Sequence, residues 1–348
     1  MSRKNPEPKK KDKTTEILRA AADEINAALK DSVVTLGIDP LDSEVKIWIP
    51  TGWTLLDQVI GGGLPVGRTV ELYGKESAGK TTLAVHAMVG CQRLGGVAVL
   101  FDPESTFDRD LATRMGVNFN RLLIMSPKIA LEDVFTCFLS MIEVVHKSSP
   151  EVPILMVWDT LAATPTKKEQ AEQNDSGRMG GQYRAQVVRR GMRSITHMIS
   201  KTNTCLLVLN HVYDTAVNGI MLTETPGGRG VKFHASIRIH LKSRGWIREK
   251  EDGDPVGAFV LARVEKNKLA CPRREVVSRL YFGKGFSDLH SLFDAATDLG
   301  VVRKAGAWSV FTVGDRELKF YGSALARIAS ENPDFEPALR AAVMGAWV

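Results

Sequence analysis

The segment Thr69–Thr82, TVELYGKESAGKTT, constrains the fold of this chain more than any other stretch. Thr69, Val70, Leu72 and Tyr73 favour a strand, and Leu83, Ala84, Ala87 and Met88 continue past the segment at helical spacing. Between them, Gly74–Thr81 fits G-x-x-x-x-G-K-[ST]. A strand that turns through glycines into a helix aims its backbone N–H groups into a concavity at the positive end of that helix. Such a concavity seats a polyphosphate. Gly74, Glu76, Ser77, Ala78 and Gly79 would form the cradle, Lys80 would reach the β- and γ-phosphates, the Thr81 hydroxyl would help hold Mg²⁺, and Thr82 follows in the first helical turn. A glycine turn that matches by accident is the alternative, and the flanking strand and helix patterns weigh against it.

The 348 residues are enough for one large domain with small additions, or for two domains. A hydrophobic content of 44% with 25% charged residues is ordinary for a globular chain. No apolar run approaches a membrane span, and MSRKNPEPKKKDK lacks the apolar centre of a signal peptide, so the expectation is a cytoplasmic protein with no membrane partner. Cys91, Cys137, Cys205 and Cys271 are far apart and read as free thiols. The net charge is +6, but its placement matters more. Ser176–Tyr213 contains no carboxylate yet holds Arg178, Arg184, Arg189, Arg190, Arg193 and Lys201. Thr225–Arg248 repeats the pattern with Arg229, Lys232, Arg238, Lys242, Arg244 and Arg248. Either stretch alone could be a solvated basic face; two of them beside a phosphate site favour a polyanion, above all nucleic acid.

Along the chain, residues 1–13 read as a disordered basic tail. Thr15–Lys30 places Ile17, Leu18, Ala21, Ala22, Ile25, Ala28 and Leu29 on one helical face, which needs its own domain or a neighbouring copy to cover it. From Thr69 strands and helices alternate, the signature of a parallel sheet with crossover helices. VAVLFD (97–102), ILMVWD (154–159) and TCLLVLN (204–210) are buried-strand runs whose polar ends should converge on the phosphates. Asn174–Gly181 and Tyr213–Gly230 read as glycine-rich mobile loops; Ile220 and Met221 in the second suit insertion between bases, unless that loop folds onto the core. Ala235–Lys242, Ala258–Val264 and Val276–Tyr281 read as further strands, the last two antiparallel. Beyond Lys284 a hairpin at Gly314-Asp315 and a helix after Asn332-Pro333 suggest a small α/β lobe. The expected organisation is thus a basic tail with an amphipathic helix and a strand over 1–50, a nucleotide-binding core over 51–283, and a small lobe over 284–348.

TGWTLLD with GGGLPVGR, GKESAGKTT, FDPE, VWDTLAATPTK, TNTCLLVLN, TPGGRGVKFHASIRI, KNKLACP and KAGAW together resemble the RecA-type recombinases, nearest the bacterial branch, from about Ile49 to Trp308. The resemblance implies an α/β RecA-like core with a mostly parallel central sheet. It implies a DNA-dependent ATPase that uses ATP and Mg²⁺, forms helical homo-oligomeric filaments on single-stranded DNA, and pairs them with duplex DNA. Single-strand-binding and loader proteins are its implied partners. By the same resemblance Glu104 is the general base, Asp159 a metal-orienting carboxylate, Asp108 the adenine contact, Asn210 a nucleotide-site residue of family identity, and His211 stands at the position that senses the γ-phosphate. Lys266 and Lys268 would reach ATP held by the adjacent subunit, and Lys232 and Phe233 would relay nucleotide state across that interface. Arg178, Met179, Gly180, Arg184, Arg193, Ile220, Met221, Gly227, Gly228 and Arg229 fall in the family's two DNA-binding loops and the segments beside them.

Several positions depart from the bacterial pattern. His211 replaces a glutamine, though an imidazole can also donate a hydrogen bond. Leu111 replaces a base-stacking aromatic, the first loop carries extra residues, and the end ENPDFEPALRAAVMGAWV lacks an acidic tail, which predicts weaker self-inhibition of duplex binding. These departures suit a bacteriophage-encoded or divergent member, acting then in the host cytoplasm. The rival readings are a RecA-fold motor, such as a helicase or branch-migration ATPase, and a non-catalytic DNA-coating mediator. No zinc-type cysteine cluster or KNRFG motif supports the first, and intact Lys80, Thr81, Glu104 and Asp159 oppose the second.

Overall fold

The computed structural model describes residues 13–30, 33–38, 44–171, 178–217, 220–225, 229–250 and 252–347. Residues 1–12 of the basic tail, residues 174–177 of the first loop, Asn218-Gly219 and Gly227-Gly228 lie outside the described residues, while the rest of that loop, 178–181, is helical rather than irregular. The chain divides into two compact units, 1–44 and 45–348.

In the first unit helix α1 (Lys13–Leu29) ends where Asn26 takes over the chain. The Asn26 side chain accepts from the Val33 and Val34 amides at 2.8 and 2.9 Å and donates to the Val34 carbonyl at 2.8 Å. The helix keeps the expected amphipathic spacing, yet Ile17, Leu18, Ile25 and Leu29 are exposed.

The second unit is built on one nine-stranded sheet. Its strands in chain order are β1 (Arg68–Gly74), β2 (Val97–Phe101), β3 (Leu122–Met125), β4 (Ile154–Asp159), β5 (Thr204–Asn210), β6 (Ile237–Arg248), β7 (Pro255–Asn267), β8 (Glu275–Tyr281) and β9 (Gly285–Ser287). Their spatial order is β9-β8-β7-β6-β1-β5-β4-β2-β3. From β6 to β3 every pairing is parallel, whereas β6 to β9 form an antiparallel meander. The sheet is therefore mostly parallel, as the alternation of strand and helix predicts. Helices α2 (Lys80–Arg93), α3 (Leu131–Ser148) and α4 (Arg178–Ser200) supply the main crossovers.

Side chains alternate between two cores, one on each face of the sheet. Ala98, Leu100, Leu155 and Val157 join the cluster that includes α2 and reaches Phe335 and Leu339 near the C-terminus. Val99, Phe101, Ile154, Met156 and Trp158 join the cluster under α3 and α4. Trp158 is fully buried and meets Phe135 and Phe138 edge-on. A Cβ at Gly191 would lie 2.2 Å from the Phe135 ring, so a glycine there lets α4 approach α3 closely.

One expectation fails in part. Tyr213–Val217 and Ile220–Glu224 form an antiparallel hairpin rather than an irregular loop, with Val217 paired to Ile220. The reason is local: Asn-Gly between β-favouring residues is a strong two-residue hairpin signal as well as a loop signal. A short helix, α5 (Arg229–His234), then leads into β6. The expected hairpin at Gly314-Asp315 forms between Trp308–Val313 and Arg316–Tyr321, and the terminal helix spans Phe335–Ala346.

Candidate nucleotide site and nucleic-acid face

The phosphate loop forms because two positions tolerate no side chain or demand a left-handed turn. A Cβ at Gly74 would sit 2.4 Å from the Leu241 carbonyl oxygen, because β6 runs alongside, and Gly79 has φ +88° at the N-cap of α2. The loop and its surroundings enclose a cleft of about 350 Å³ reached by Ser77, Lys80, Thr82, Glu104, Asp159 and His211. Lys80 is buried, and its Nζ donates to the carbonyls of Gly74 at 3.0 Å and Lys75 at 2.9 Å. Burial pushes its ammonium down, with Asp159, Glu76 and Glu104 opposing. An arriving anion would give that buried charge a better partner than two carbonyls.

Opposite Lys80 the ends of β2 and β4 bring the acids together. The Thr81 hydroxyl donates to Asp159 Oδ2 at 2.5 Å, and burial raises Asp159 despite that bond. Asp102 Oδ1 is buried with no partner, while its other oxygen accepts from the Phe107 amide at 2.8 Å. A hydroxyl, a buried carboxylate and an orphaned carboxylate oxygen at one spot fit Mg²⁺, which takes oxygen ligands and keeps waters. Among the described residues no group of three or more His, Cys, Asp or Glu forms a self-sufficient metal site, so phosphate oxygens would have to complete the shell. Glu104 Oε1 accepts from the Thr160 hydroxyl at 3.0 Å and lies 3.7 Å from His211 Nε2. The predicted base and the predicted sensor are thus neighbours. Asp108 caps the helix Arg109–Arg114, its Oδ1 accepting from the Leu111 amide at 2.8 Å.

The residues around β1 reveal a group that motif reading overlooked. Glu71 is fully buried in β1; it accepts from Asn210 Nδ2 at 2.9 Å and from Arg238 Nε at 2.5 Å. Its one sequence signal was a carboxylate inside an otherwise apolar strand. Arg238 is paired in register with Lys266. Lys266 Nζ turns to the last carbonyls of α5, donating to Lys232 at 2.8 Å and Phe233 at 3.3 Å. Burial and the nearby Lys268 and Arg238 hold Lys266 below its usual range. Since Arg238 faces Glu71, three residues before Gly74, Lys266 sits roughly 10 Å back along the sheet from the phosphate loop and two strands across. Neither lysine lines the cleft of its own chain. Phe233 is 67% exposed.

On the nucleic-acid face, α4 starts at Arg178, so Arg178, Met179 and Gly180 form its first turn. Ile220 and Met221 lie on the hairpin and Arg229 opens α5, while Gly227 and Gly228 fall outside the described residues. Arg189, Arg190 and Arg193 are exposed along α4. Arg184 differs from them: its guanidinium turns inward onto Leu161, Ala162 and Glu169.

Fold and site together define a phosphate-loop α/β protein with paired acids at the strand ends, the architecture of a nucleoside-triphosphate-hydrolysing core. The RecA N-terminal domain family model matches residues 16–287. Protein RecA of Thermus thermophilus is 36% identical over 320 residues, covering 90% of this chain and 89% of its own. Protein RecA of Chloroherpeton thalassium is 35% identical over 312 residues (88% and 83%), and that of Geobacter sulfurreducens 34% over 291 (82% and 82%). The chain belongs to the RecA family, and membership supports a role in homologous recombination and implies a DNA-dependent ATPase. Among the described residues no helix is long and apolar enough to cross a membrane.

Proposed function

We propose that this protein is an ATP-dependent recombinase that assembles as a helical filament on single-stranded DNA, samples duplex DNA for homology and exchanges strands. The observation that carries this reading is the division of the catalytic groups. Lys80, Thr81, Glu104 and Asp159 gather at one cleft, whereas Lys266 sits beside α5, away from that cleft. A pair of cations placed outside its own site is of use to the site of a second copy, and stacking copies through such contacts produces a filament. The exposed apolar face of α1 and the open sheet edge at β3, where Leu123 and Ile124 are exposed, offer further surfaces for that stacking. We assign residues 1–50 to docking, 51–283 to the ATPase core and 284–348 to a small C-terminal α/β lobe.

The residues divide the work as follows. Lys80 binds the β- and γ-phosphates, releasing the Gly74 and Lys75 carbonyls. Mg²⁺ bound at Thr81 and Asp159 would supply positive charge across the phosphate oxygens. Glu104, held by Thr160, orients and deprotonates the attacking water. Lys266 and Lys268 of a neighbouring copy offset charge developing at the γ-phosphate. His211, 3.7 Å from Glu104, reports the state of the cleft to the hairpin that follows β5. Backbone and arginine contacts along α4 and the hairpin hold DNA phosphates without reading sequence, leaving recognition to base pairing.

Electron microscopy of the protein with single-stranded DNA and a non-hydrolysable ATP analogue tests the reading. Helical filaments that require the nucleotide are expected. Closed rings would indicate a motor, and coating indifferent to nucleotide would indicate a mediator.

A further inference from the structure

The geometry points to Arg184 as a positioning residue that couples DNA binding to the hydrolytic acid, rather than as a contact to DNA phosphate. This inference rests on the proposed DNA-stimulated ATPase and names one route for the stimulation. Arg184 is one and a half turns into α4, beyond the turn formed by Arg178–Gly180, and its side chain is only 17% exposed. One terminal nitrogen donates to the carbonyls of both Leu161 and Ala162, at 2.7 Å each. The other donates to Glu169 Oε2 at 3.3 Å. Glu169 is itself fixed, accepting from the Thr166 amide at 2.7 Å and donating its own amide to the Thr166 hydroxyl at 3.1 Å. A guanidinium has five N–H donors in a rigid fork, and charge-assisted bonds of this length are the strong ones. A DNA phosphate would have to displace them, while Arg189, Arg190 and Arg193 stand exposed on the same helix.

The partners of Arg184 lead to the chemistry. Leu161 and Ala162 immediately follow Asp159 and Thr160. The Thr160 hydroxyl donates to Glu104 Oε1 at 3.0 Å and accepts from the Ala163 amide at 3.4 Å. The Thr160 carbonyl accepts from the Thr164 hydroxyl at 3.2 Å, and the Leu161 amide donates to the Leu209 carbonyl at 3.4 Å, one residue before Asn210. A shift of the first turn of α4 on DNA therefore pulls, through Arg184, on the turn that holds Glu104 in place.

Salt dependence separates the two roles. Each phosphate contact to single-stranded DNA contributes roughly 0.7 to the slope of log affinity against log salt. Arg184→Gln and Arg184→Lys are each expected to keep the wild-type slope and an affinity within about threefold. The ratio of DNA-saturated to DNA-free ATP turnover is expected to fall at least tenfold for Arg184→Gln. A slope reduced by about one contact with full stimulation at saturating DNA would make Arg184 a phosphate ligand and overturn the inference. So would unchanged stimulation in both variants. Should Arg184→Gln fail to fold, amide exchange in the unmutated, nucleotide-loaded protein decides: protection of Leu161–Thr164 should change at least threefold when DNA is added, and no change overturns the inference. Wild-type turnover indifferent to DNA would overturn the functional reading itself, and this route with it.

Discussion

The phosphate cleft and the α5 region differ in the charges they gather and in how the fold brings those charges together. The cleft gathers its groups from the ends of β1, β2, β4 and β5, all on one edge of the parallel sheet, so the fold alone brings Lys80, Glu104 and Asp159 together. The α5 region gathers Lys266, Lys268 and Arg193 around His234, whose ring is 3.1 Å from the Thr196 hydroxyl, and among the described residues Glu71 is the carboxylate that acts on Lys266 there. A site rich in cations and short of anions is half of something. The comparison teaches that topology keeps the two groups of charges apart: β7 carries Lys266 to a point roughly 10 Å back along the sheet from the phosphate loop and two strands across.

The largest effect should come from breaking the complete half. Lys80→Ala removes a buried cation that lines the cleft, and ATP turnover is expected to drop at least a thousandfold, about 4 kcal/mol in the barrier. A steady-state phosphate-release assay checks it, and a loss under tenfold would mean that the cleft is not the hydrolytic site. The next effect falls on the bridge between the halves. Glu71→Gln leaves the half-buried Arg238 without its fully buried counter-charge, and breaking such a pair costs about 3 kcal/mol of stability. Urea unfolding measures it directly, and a shift under 1 kcal/mol would show that Asn210, Glu71 and Arg238 are not a coupled unit. Breaking the incomplete half comes third. Lys266→Ala with Lys268→Ala should lower DNA-stimulated turnover about a hundredfold, roughly 2.7 kcal/mol, while nucleotide affinity of the dilute, DNA-free protein changes less than about threefold. Undiminished turnover in that double variant would sink the shared-site picture.

What could be read from residue order alone follows the same division. Gly74–Thr82 is contiguous, so spacing gave its chemistry, and the alternating strands declared the sheet on which it sits. Glu71, Arg238 and Thr160 were invisible because their meaning lies in partners from other strands. Nothing in TVELYG says that Asn210 and Arg238 will reach the carboxylate. Arg184 shows another limit, since a position in a basic, carboxylate-free run says nothing about which way a guanidinium turns, and this one turns onto Leu161, Ala162 and Glu169. The second loop was misjudged because Asn218-Gly219 marks a hairpin as readily as an irregular turn, and only pairing of Val217 with Ile220 decides between them.

The smallest expected effect concerns how the cleft is attached to the rest of the chain, and it has opposite signs at two nearby groups. His86 on α2 accepts the Phe286 amide at 2.9 Å, and burial pushes its imidazole down to about 4. Between about 6.5 and 4 the unfolded chain binds a proton that the folded chain refuses, so stability from this group is complete above that window and falls with pH through it. His240, stacked on Tyr73 and also near 4, acts in the same direction. Asp57 works the other way: burial raises it to about 7, so the folded state holds its proton more tightly and its contribution falls as pH rises from 3.8 to about 7. Each group can tilt stability by on the order of 1 kcal/mol per pH unit at most. Melting temperatures between pH 7 and pH 5 should therefore fall less in His86→Gln than in the wild type, by roughly 2 °C. They should fall more in Asp57→Asn, by a similar amount. Parallel curves for all three proteins would show that these buried groups exchange protons alike in both states, and that the tie between α2 and the strand carrying Phe286 is not sensitive to acid.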